Sequence, residues 1–200
     1  MVTLNSLVTA AGMALLASQK AFAAQLTRVD YPNNATSRAE MYIYVPDNVV
    51  ESPPLVVVVP QQYFQNAAIP WKQGSDSKGY ITLWPSSPNP GTCWDVSSPQ
   101  SLQRGGGGDS TAIANMVQHA LDEYGADPAR VYLTGGSSGA MMGNVLAATY
   151  PDLFQAVSIY SGVPAGCFVS SAGQVAAWNN TCSGGQSRAS PEQWYVLISL

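Results

Sequence analysis

An α/β fold is what this chain predicts, and two stretches carry that expectation. Leu55-Val56-Val57-Val58-Val59 is apolar without alternation, as a strand covered on both faces of a parallel sheet has to be. Farther on, the apolar run 130–134 leads directly into Gly135-Gly136-Ser137-Ser138-Gly139, and a helix-forming stretch follows at 140–148. Strand, G-x-S-x-G, helix is the order of a nucleophile elbow, a sharp turn that holds a serine hydroxyl clear of the sheet. Glycines two residues either side of Ser137 let strand and helix approach without side-chain clash. The N–H of Ser138 then points to where an oxyanion would form.

The other elements are placed around these two in chain order. Residues 4–17 form an apolar run broken by Ser and Thr, Lys20 marks its polar edge, and Ala21-Phe22-Ala23 fits small-x-small. This predicts a secretory signal over 1–23, cleaved after Ala23; the run is too short to span a bilayer. Residues 26–31 and 40–45 alternate as an antiparallel pair. Residues 80–84 read as a strand closed by Pro85, and the Pro/Ser/Gly stretch 85–108 is too long for a mere connector, so a functional loop is expected there. Asp109 is expected to cap a helix whose apolar stripe is Ile113, Met116, Val117, Ala120, Leu121 and Tyr124. Strand 131–134, the elbow helix and strand 155–160 complete the readable core. No repeat or linker divides residues 24–200, so one domain is expected.

Composition narrows the function classes. Charged residues make up 10% of the 200 and hydrophobic ones 46%, which excludes a disordered chain. A net charge of −4 attracts neither nucleic acid nor an anionic membrane. Gly105-Gly106-Gly107-Gly108 lacks the Lys-Ser/Thr of a phosphate loop and opens its helix with an acid, so it reads as a flexible loop ending in a cap. No His, Cys or carboxylate cluster has ligand spacing, and neither metal nor cofactor is expected. Of three cysteines, Cys167 and Cys182 bracket a Gly/Ser-rich loop and are expected to bridge it, leaving Cys93 odd. Asn34-Ala35-Thr36 and Asn179-Asn180-Thr181 are sequons, placing candidate glycans on Asn34 and Asn179.

Ser137 is therefore the candidate nucleophile, and its partners are the difficulty. The single histidine, His119, falls among Asn115, Gln118, Asp122 and Glu123 on the polar side of its helix, where it is expected to be solvent-exposed and unable to act as base. After Ser137 the carboxylates are Asp152 and Glu192, and no histidine follows either. Asp152 reads as punctuation between helix and strand. The acid and base of a triad are missing.

From Gln25 to Trp194 the chain resembles the fungal acetylxylan esterases and feruloyl esterases of carbohydrate esterase family one. It is similar too to poly(3-hydroxybutyrate) depolymerase-type esterases. The stretches that carry this are Met41-Tyr42-Ile43-Tyr44-Val45-Pro46, Cys93-Trp94-Asp95-Val96, Gly106-Gly107-Gly108-Asp109-Ser110, Thr134-Gly135-Gly136-Ser137-Ser138-Gly139-Ala140-Met141-Met142, Tyr150-Pro151-Asp152-Leu153-Phe154 and Tyr160-Ser161-Gly162-Val163-Pro164-Ala165-Gly166-Cys167. The resemblance implies an α/β-hydrolase fold, incomplete because its C-terminal strands and helices are absent, with Ser137 as nucleophile and Ser138 as an oxyanion donor.

Where the family has a His-x-Cys stretch after the buried strand, Pro60-Gln61-Gln62-Tyr63-Phe64 stands here. Pro60 has no N–H to donate, so Gln61 or Gln62 has to serve. The missing cysteine accounts for an unpaired Cys93, and the family's remaining strands, with acid and histidine, have no counterpart after Trp194. The tail Trp194-Tyr195-Val196-Leu197-Ile198-Ser199-Leu200 fits a strand pattern. Its codons also permit GTATGT, an intron start, which would make it translated intron.

The function implied is that of a secreted, extracellular, monomeric serine esterase removing acetyl groups from acetylated xylan in the plant wall. Feruloyl-ester hydrolysis, or a non-catalytic polysaccharide-binding remnant, are the alternatives. Trp94 and Trp178 lie on loops where a sugar or aryl ring would stack, though aromatics on apolar loops are more often simply packed.

Overall fold

In a computed structural model, residues 25–60, 64–169, 178–187 and 190 are described. The expected signal 1–23, Gln61, Gln62, Glu192 and the tail from Trp194 lie outside them. In chain order the elements are β1 (Thr27–Val29), β2 (Glu40–Tyr44), β3 (Leu55–Val59), α1 (Phe64–Lys78), β4 (Ile81–Ser86), α2 (Pro99–Leu102), α3 (Asp109–Tyr124), β5 (Val131–Gly136), α4 (Ser138–Thr149), β6 (Ala156–Tyr160) and α5 (Asn180–Ser183). Short 3-10 turns lie at Pro90–Thr92 and Pro128–Arg130. No helix among the described residues is long and apolar enough to cross a membrane.

Among the described residues the strands form one six-stranded sheet in the order β1-β2-β4-β3-β5-β6. The alternating β1 and β2 pair antiparallel, and β2 runs antiparallel to β4. The apolar β3 lies between β4 and β5, parallel to both, and β6 extends the parallel part. Strand order reverses at β3: the chain reaches β4 on one side through α1 and returns past β3 to β5 through α3. In such sheets the crevice outside the carboxyl ends at the reversal is where ligands sit. Here those ends are Val59 and Gly136.

Register explains how the sheet holds α4. Leu55 is level with Val131, Val57 with Leu133, and Val59 with Gly135, so these share one face. All but Gly135 are among the buried apolar core, with Met142, Val145 and Leu146 of α4. Burying each such side chain contributes about 1.5–3 kcal/mol. Gly143 lets α4 settle closely, because a Cβ there would lie 2.8 Å from Ile159 Cγ2 of β6. On the opposite face Tyr132 and Tyr160 remain 37% and 65% exposed.

Several expectations change. Residues 64–78 form α1, which the sequence did not announce: Pro70 and Gly74 lie inside it and it has no clean apolar stripe. β4 does not stop at Pro85 but runs to Ser86. Its pairing with β3 ends at Leu83, so Pro85 sits where only β2 is a neighbour and a missing N–H is tolerated. Asp109 is not the cap of α3; Gly108 is. Loop 85–108 is wound around buried groups, with Trp94, Asp95 and Asp109 all in the interior.

Candidate active site

Ser137 stands between β5 and α4 with φ 52° and ψ −120°. A non-glycine residue in such a region costs on the order of 1–3 kcal/mol and persists only where its surroundings hold it. They do so here on both sides. The Ser137 N–H donates to the Tyr160 carbonyl at 2.9 Å, and the Ser137 carbonyl accepts from the Met141 N–H at 3.0 Å, closing the first turn of α4. Its hydroxyl makes no capping bond to that helix, and the residue is half-buried. The elbow expected from G-x-S-x-G is therefore present in its backbone.

The flanking glycines are needed for contact, not flexibility. A Cβ on Gly139 would lie 1.9 Å from the Val59 carbonyl oxygen, and one on Gly135 would lie 2.5 Å from the Gly139 carbonyl oxygen. The last residue of β3 is thus pressed against the first turn of α4. Ser138 opens α4 and is 1% exposed. Its N–H belongs to the first-turn amides that a helix leaves without an intrahelical partner, and the helix dipole makes that end electropositive. Beyond β6, a Cβ on Gly162 would lie 2.6 Å from Ala140 Cβ, so the β6 exit closes over the same turn.

A buried polar network lies beside the elbow. The Trp94 N–H donates to Ser138 Oγ at 2.8 Å, and its indole Nε1 donates to the Pro60 carbonyl at 2.9 Å. The Asp95 N–H donates to Asp109 Oδ2 at 2.9 Å, which also accepts from Asn89 Nδ2 at 2.9 Å. Ser37 Oγ donates to Asp109 Oδ1. Burial pushes the Asp109 carboxyl above its ordinary range, against the pull of these donors, and the nearby Asp95 charge adds to the rise. The Asp95 carboxylate gathers its own loop, accepting from the N–H groups of Ser97 and Ser98 at 3.1 and 3.0 Å and from the hydroxyls of Ser98 and Ser101.

The remaining candidates are dispersed. His119 is half-buried, not solvent-exposed as expected, because its ring packs edge-on against Tyr124 with centroids 6.1 Å apart. Asp152 forms a two-pronged pair with Arg104, which holds its carboxyl down to about 2. Arg104 also lies over the Tyr150 ring, 4.9 Å from its centroid. Cys167 and Cys182 are bonded, and Cys93 is free and half-buried. Asn34 and Asn179 are exposed; Asn34 Oδ1 accepts from Asn115 Nδ2, and Asn179 Oδ1 caps α5 by accepting from the Cys182 N–H. Trp94 is 1% exposed, so it is a core residue and not a stacking platform. Trp178 is 64% exposed and lies against Phe168, centroids 4.5 Å apart. Gln61 falls outside the described residues.

Sequence reasoning missed the roles of Trp94, Asp95 and Asp109 in shaping the site. The available signal was two acids in a loop region of a chain with only 12 Asp and Glu, where a buried carboxylate needs several donors to be tolerated.

Comparison with known proteins gives a consistent set of likenesses. The family model described as "Esterase PHB depolymerase" matches residues 40–190. The probable acetylxylan esterase A of Aspergillus flavus is 50% identical over 171 residues, covering 82% of this chain and 55% of its own length. Acetylxylan esterase A of Emericella nidulans is 48% identical over 177 residues, covering 85% and 57%. Among solved structures, the acetyl xylan esterase from Aspergillus awamori superposes with a TM-score of 0.81 at 45% identity, covering 87% of this chain and 65% of the other. The poly(3-hydroxybutyrate) depolymerase LpqC from Bordetella parapertussis shares the fold, with a TM-score of 0.55 at 20% identity over 68% of this chain and 51% of the other. The fold is that of the α/β-hydrolase esterases, and the chain spans about 55% of the length of the Aspergillus flavus relative.

Proposed function

Because the chain belongs to the esterase PHB depolymerase family, with residues 40–190 matching its model, we propose that it is the nucleophile-bearing part of a secreted serine carboxylic-ester hydrolase acting on acetylated xylan. The observation that carries this reading is the strained elbow: Ser137 at φ 52° with its hydroxyl not used in capping. Ser137 Oγ attacks the acetyl carbonyl and gives up its proton, which leaves with the sugar alcohol; the carbonyl oxygen gains the negative charge and accepts from the Ser138 N–H, with Gln61 supplying the second donor. The sugar alcohol leaves, and water releases acetate from Ser137. The acetylxylan esterases among the relatives support acetyl as the acyl group and xylan as its carrier. Secretion follows from the signal 1–23, the enzyme acts outside the cell as a monomer, and Asn34 and Asn179 carry the glycans.

The 200 residues by themselves are catalytically deficient. Their single histidine is His119, which packs on Tyr124 in α3, and a serine hydroxyl is a weak nucleophile without a positioned base. In a serine protease, losing triad members costs on the order of a millionfold in turnover.

The test compares residues 24–200 with the same chain continued by the C-terminal part of an acetylxylan esterase A, each beside its Ser137→Ala variant. The short chain is expected to match its variant at near-background rates on a chromogenic acetate ester. The extended chain is expected to release acetate from acetylated xylan, and Ser137→Ala is expected to abolish the release. Ordinary turnover by the short chain, lost on Ser137→Ala, would mean that a base has been overlooked. Release of ferulate from methyl ferulate in preference to acetate makes the enzyme a feruloyl esterase. Retention on insoluble xylan without turnover, indifferent to Ser137→Ala, makes the protein a binder. Activity on hydroxyalkanoate polyesters alone overturns the xylan reading.

A further inference from the structure

We propose that Trp94 is a positioning residue that clamps the nucleophile elbow to the exit of β3, holding the Ser138 N–H at a fixed distance from the strand beside it. This rests on Ser137 being the nucleophile of an ester hydrolase. Trp94 reaches both sides at once. Its backbone N–H is bonded to Ser138 Oγ in the first turn of α4, at 2.8 Å, and its indole N–H to the carbonyl of Pro60, directly after β3, at 2.9 Å. The bond to Ser138 is buried, Trp94 and Ser138 each being 1% exposed, and the bond to the half-buried Pro60 lies at the edge of the interior.

The clamp is itself anchored. Asp109 opens α3 and takes the N–H of Asp95, the residue next to Trp94, while also holding Ser37 from the chain before β2 and Asn89 from the start of the loop. Asp95 winds residues 97–101 around its carboxylate. Trp94 is therefore fixed from the α3 side before it reaches the elbow. Contact alone does not set the gap between β3 and α4. The Gly139–Val59 approach limits how close they come, whereas the Trp94 bonds limit how far apart they move. An amide that must meet a developing oxyanion within hydrogen-bond distance needs both limits, because misplacement by about 1 Å can cost on the order of a hundredfold in rate.

The experiment has two readouts: labelling on the chain continued by the C-terminal part of an acetylxylan esterase A, which supplies the base, and indole signals on the 200-residue chain. The first is the rate at which a fluorophosphonate labels Ser137, followed by intact mass: the serine oxygen bonds to phosphorus, fluoride leaves with its electron pair, and the serine proton goes to buffer. The second is the indole N–H spectrum of protein labelled with 15N-tryptophan, in which five tryptophans give five signals and Trp94→Phe identifies one. Trp94→Phe keeps a ring and the backbone N–H but loses the indole bond, and is expected to slow labelling at least tenfold. Ser138→Ala keeps the Ser138 N–H but removes the acceptor, and is expected both to slow labelling and to shift the Trp94 indole signal, since the two bonds share one residue.

Trp84→Phe is the control. Trp84 is equally buried and donates its indole N–H to Thr82 Oγ1 at 2.9 Å, away from the elbow, and its variant is expected to label within twofold of the parent. Equal labelling in Trp94→Phe and the parent overturns the proposal, as does an equal loss in Trp84→Phe or an unmoved Trp94 signal in Ser138→Ala. Labelling of the parent no faster than of Ser137→Ala removes the nucleophile reading itself, and the positioning role with it. That failure is told apart by the indole signal, which reports the clamp without any reaction.

Discussion

Gly139→Ala adds one methyl group where α4 meets the end of β3. The new Cβ would lie 1.9 Å from the Val59 carbonyl oxygen and 2.8 Å from its carbon, more than an ångström inside ordinary contact. Both atoms are backbone, so no side chain can swing aside. Val59 is held in register with Gly135 on the neighbouring strand, and α4 is held by its own first turn, so β3 and α4 must separate. Overpacking of this kind costs about 1–3 kcal/mol, occasionally more, and a backbone obstacle places it at the upper end. Alanine returns up to about 1 kcal/mol through its better helix propensity, leaving a net loss of about 2 kcal/mol or more.

For a domain of this size that is a fall of about 4–8 °C in Tm. Gly136 is the internal comparison, three residues earlier in the same motif: a Cβ there meets nothing within 4 Å, and Gly136→Ala is expected within about 0.5 kcal/mol of the parent. Thermal unfolding followed by circular dichroism, with urea midpoints as a second measure, compares the two. Equal melting of Gly139→Ala and Gly136→Ala would refute the argument that β3 and α4 touch here through backbone.

The remaining predictions concern charge and cross-linking. Asp109→Asn keeps every partner, because Oδ1 can accept from Asp95 and Asn89 while Nδ2 donates to Ser37 Oγ, so its stability at pH 7 is expected within about 1 kcal/mol of the parent. Asp109 has a raised carboxyl pKa, so its favourable contribution is complete below the unfolded value of about 3.9 and is lost as pH rises through the folded value. Tyr31, pushed up to about 12 by burial and by Asp109, does not titrate in that window. The Asn variant should therefore gain on the parent from pH 4 towards pH 7 in urea midpoints, and a difference independent of pH counts against it.

Arg104→Ala is expected to return the Asp152 carboxyl, now held at about 2, towards its ordinary range in an NMR titration. Because that pair is exposed, the parent's shift should shrink in high salt. Whatever it contributes is present above the ordinary carboxylate pKa and lost as pH falls towards 2. Replacing Cys182 by Ser opens the loop that the bridge closes across a separation of 15 residues, at a cost of about 3 kcal/mol. Thiol titration of the unfolded parent should find one thiol, Cys93, and all three cysteines after reduction.

Local pattern made the turn at Ser137 legible. G-x-S-x-G between an apolar run and a helical one leaves few conformations open, since only a sharp turn relieves the crowding, and Ser137 has the backbone angles of that turn. The buried β3, the antiparallel β1–β2 pair and the stripe of α3 were legible for the same reason: each is a periodicity that burial imposes on neighbouring residues. The Cys167–Cys182 bridge closes a short loop and was likewise a local inference. α1 escaped because Pro70 and Gly74 are poor helix residues, and its packing against β4 overrides their propensity.

The roles of Trp94 and Asp109 escaped for a different reason. Trp94 on a Pro/Gly-rich loop looks like a surface ring, and Asp109 before a helix looks like its cap. Their roles depend on Ser138, 44 positions from Trp94, and on Ser37, 72 positions from Asp109. By itself the sequence determined the sharp turn at Ser137 and the parallel core strand. Only the tertiary structure decided what holds the elbow in place, because hydrogen bonds between segments far apart in the chain leave no periodicity and appear once the sheet has brought those segments together.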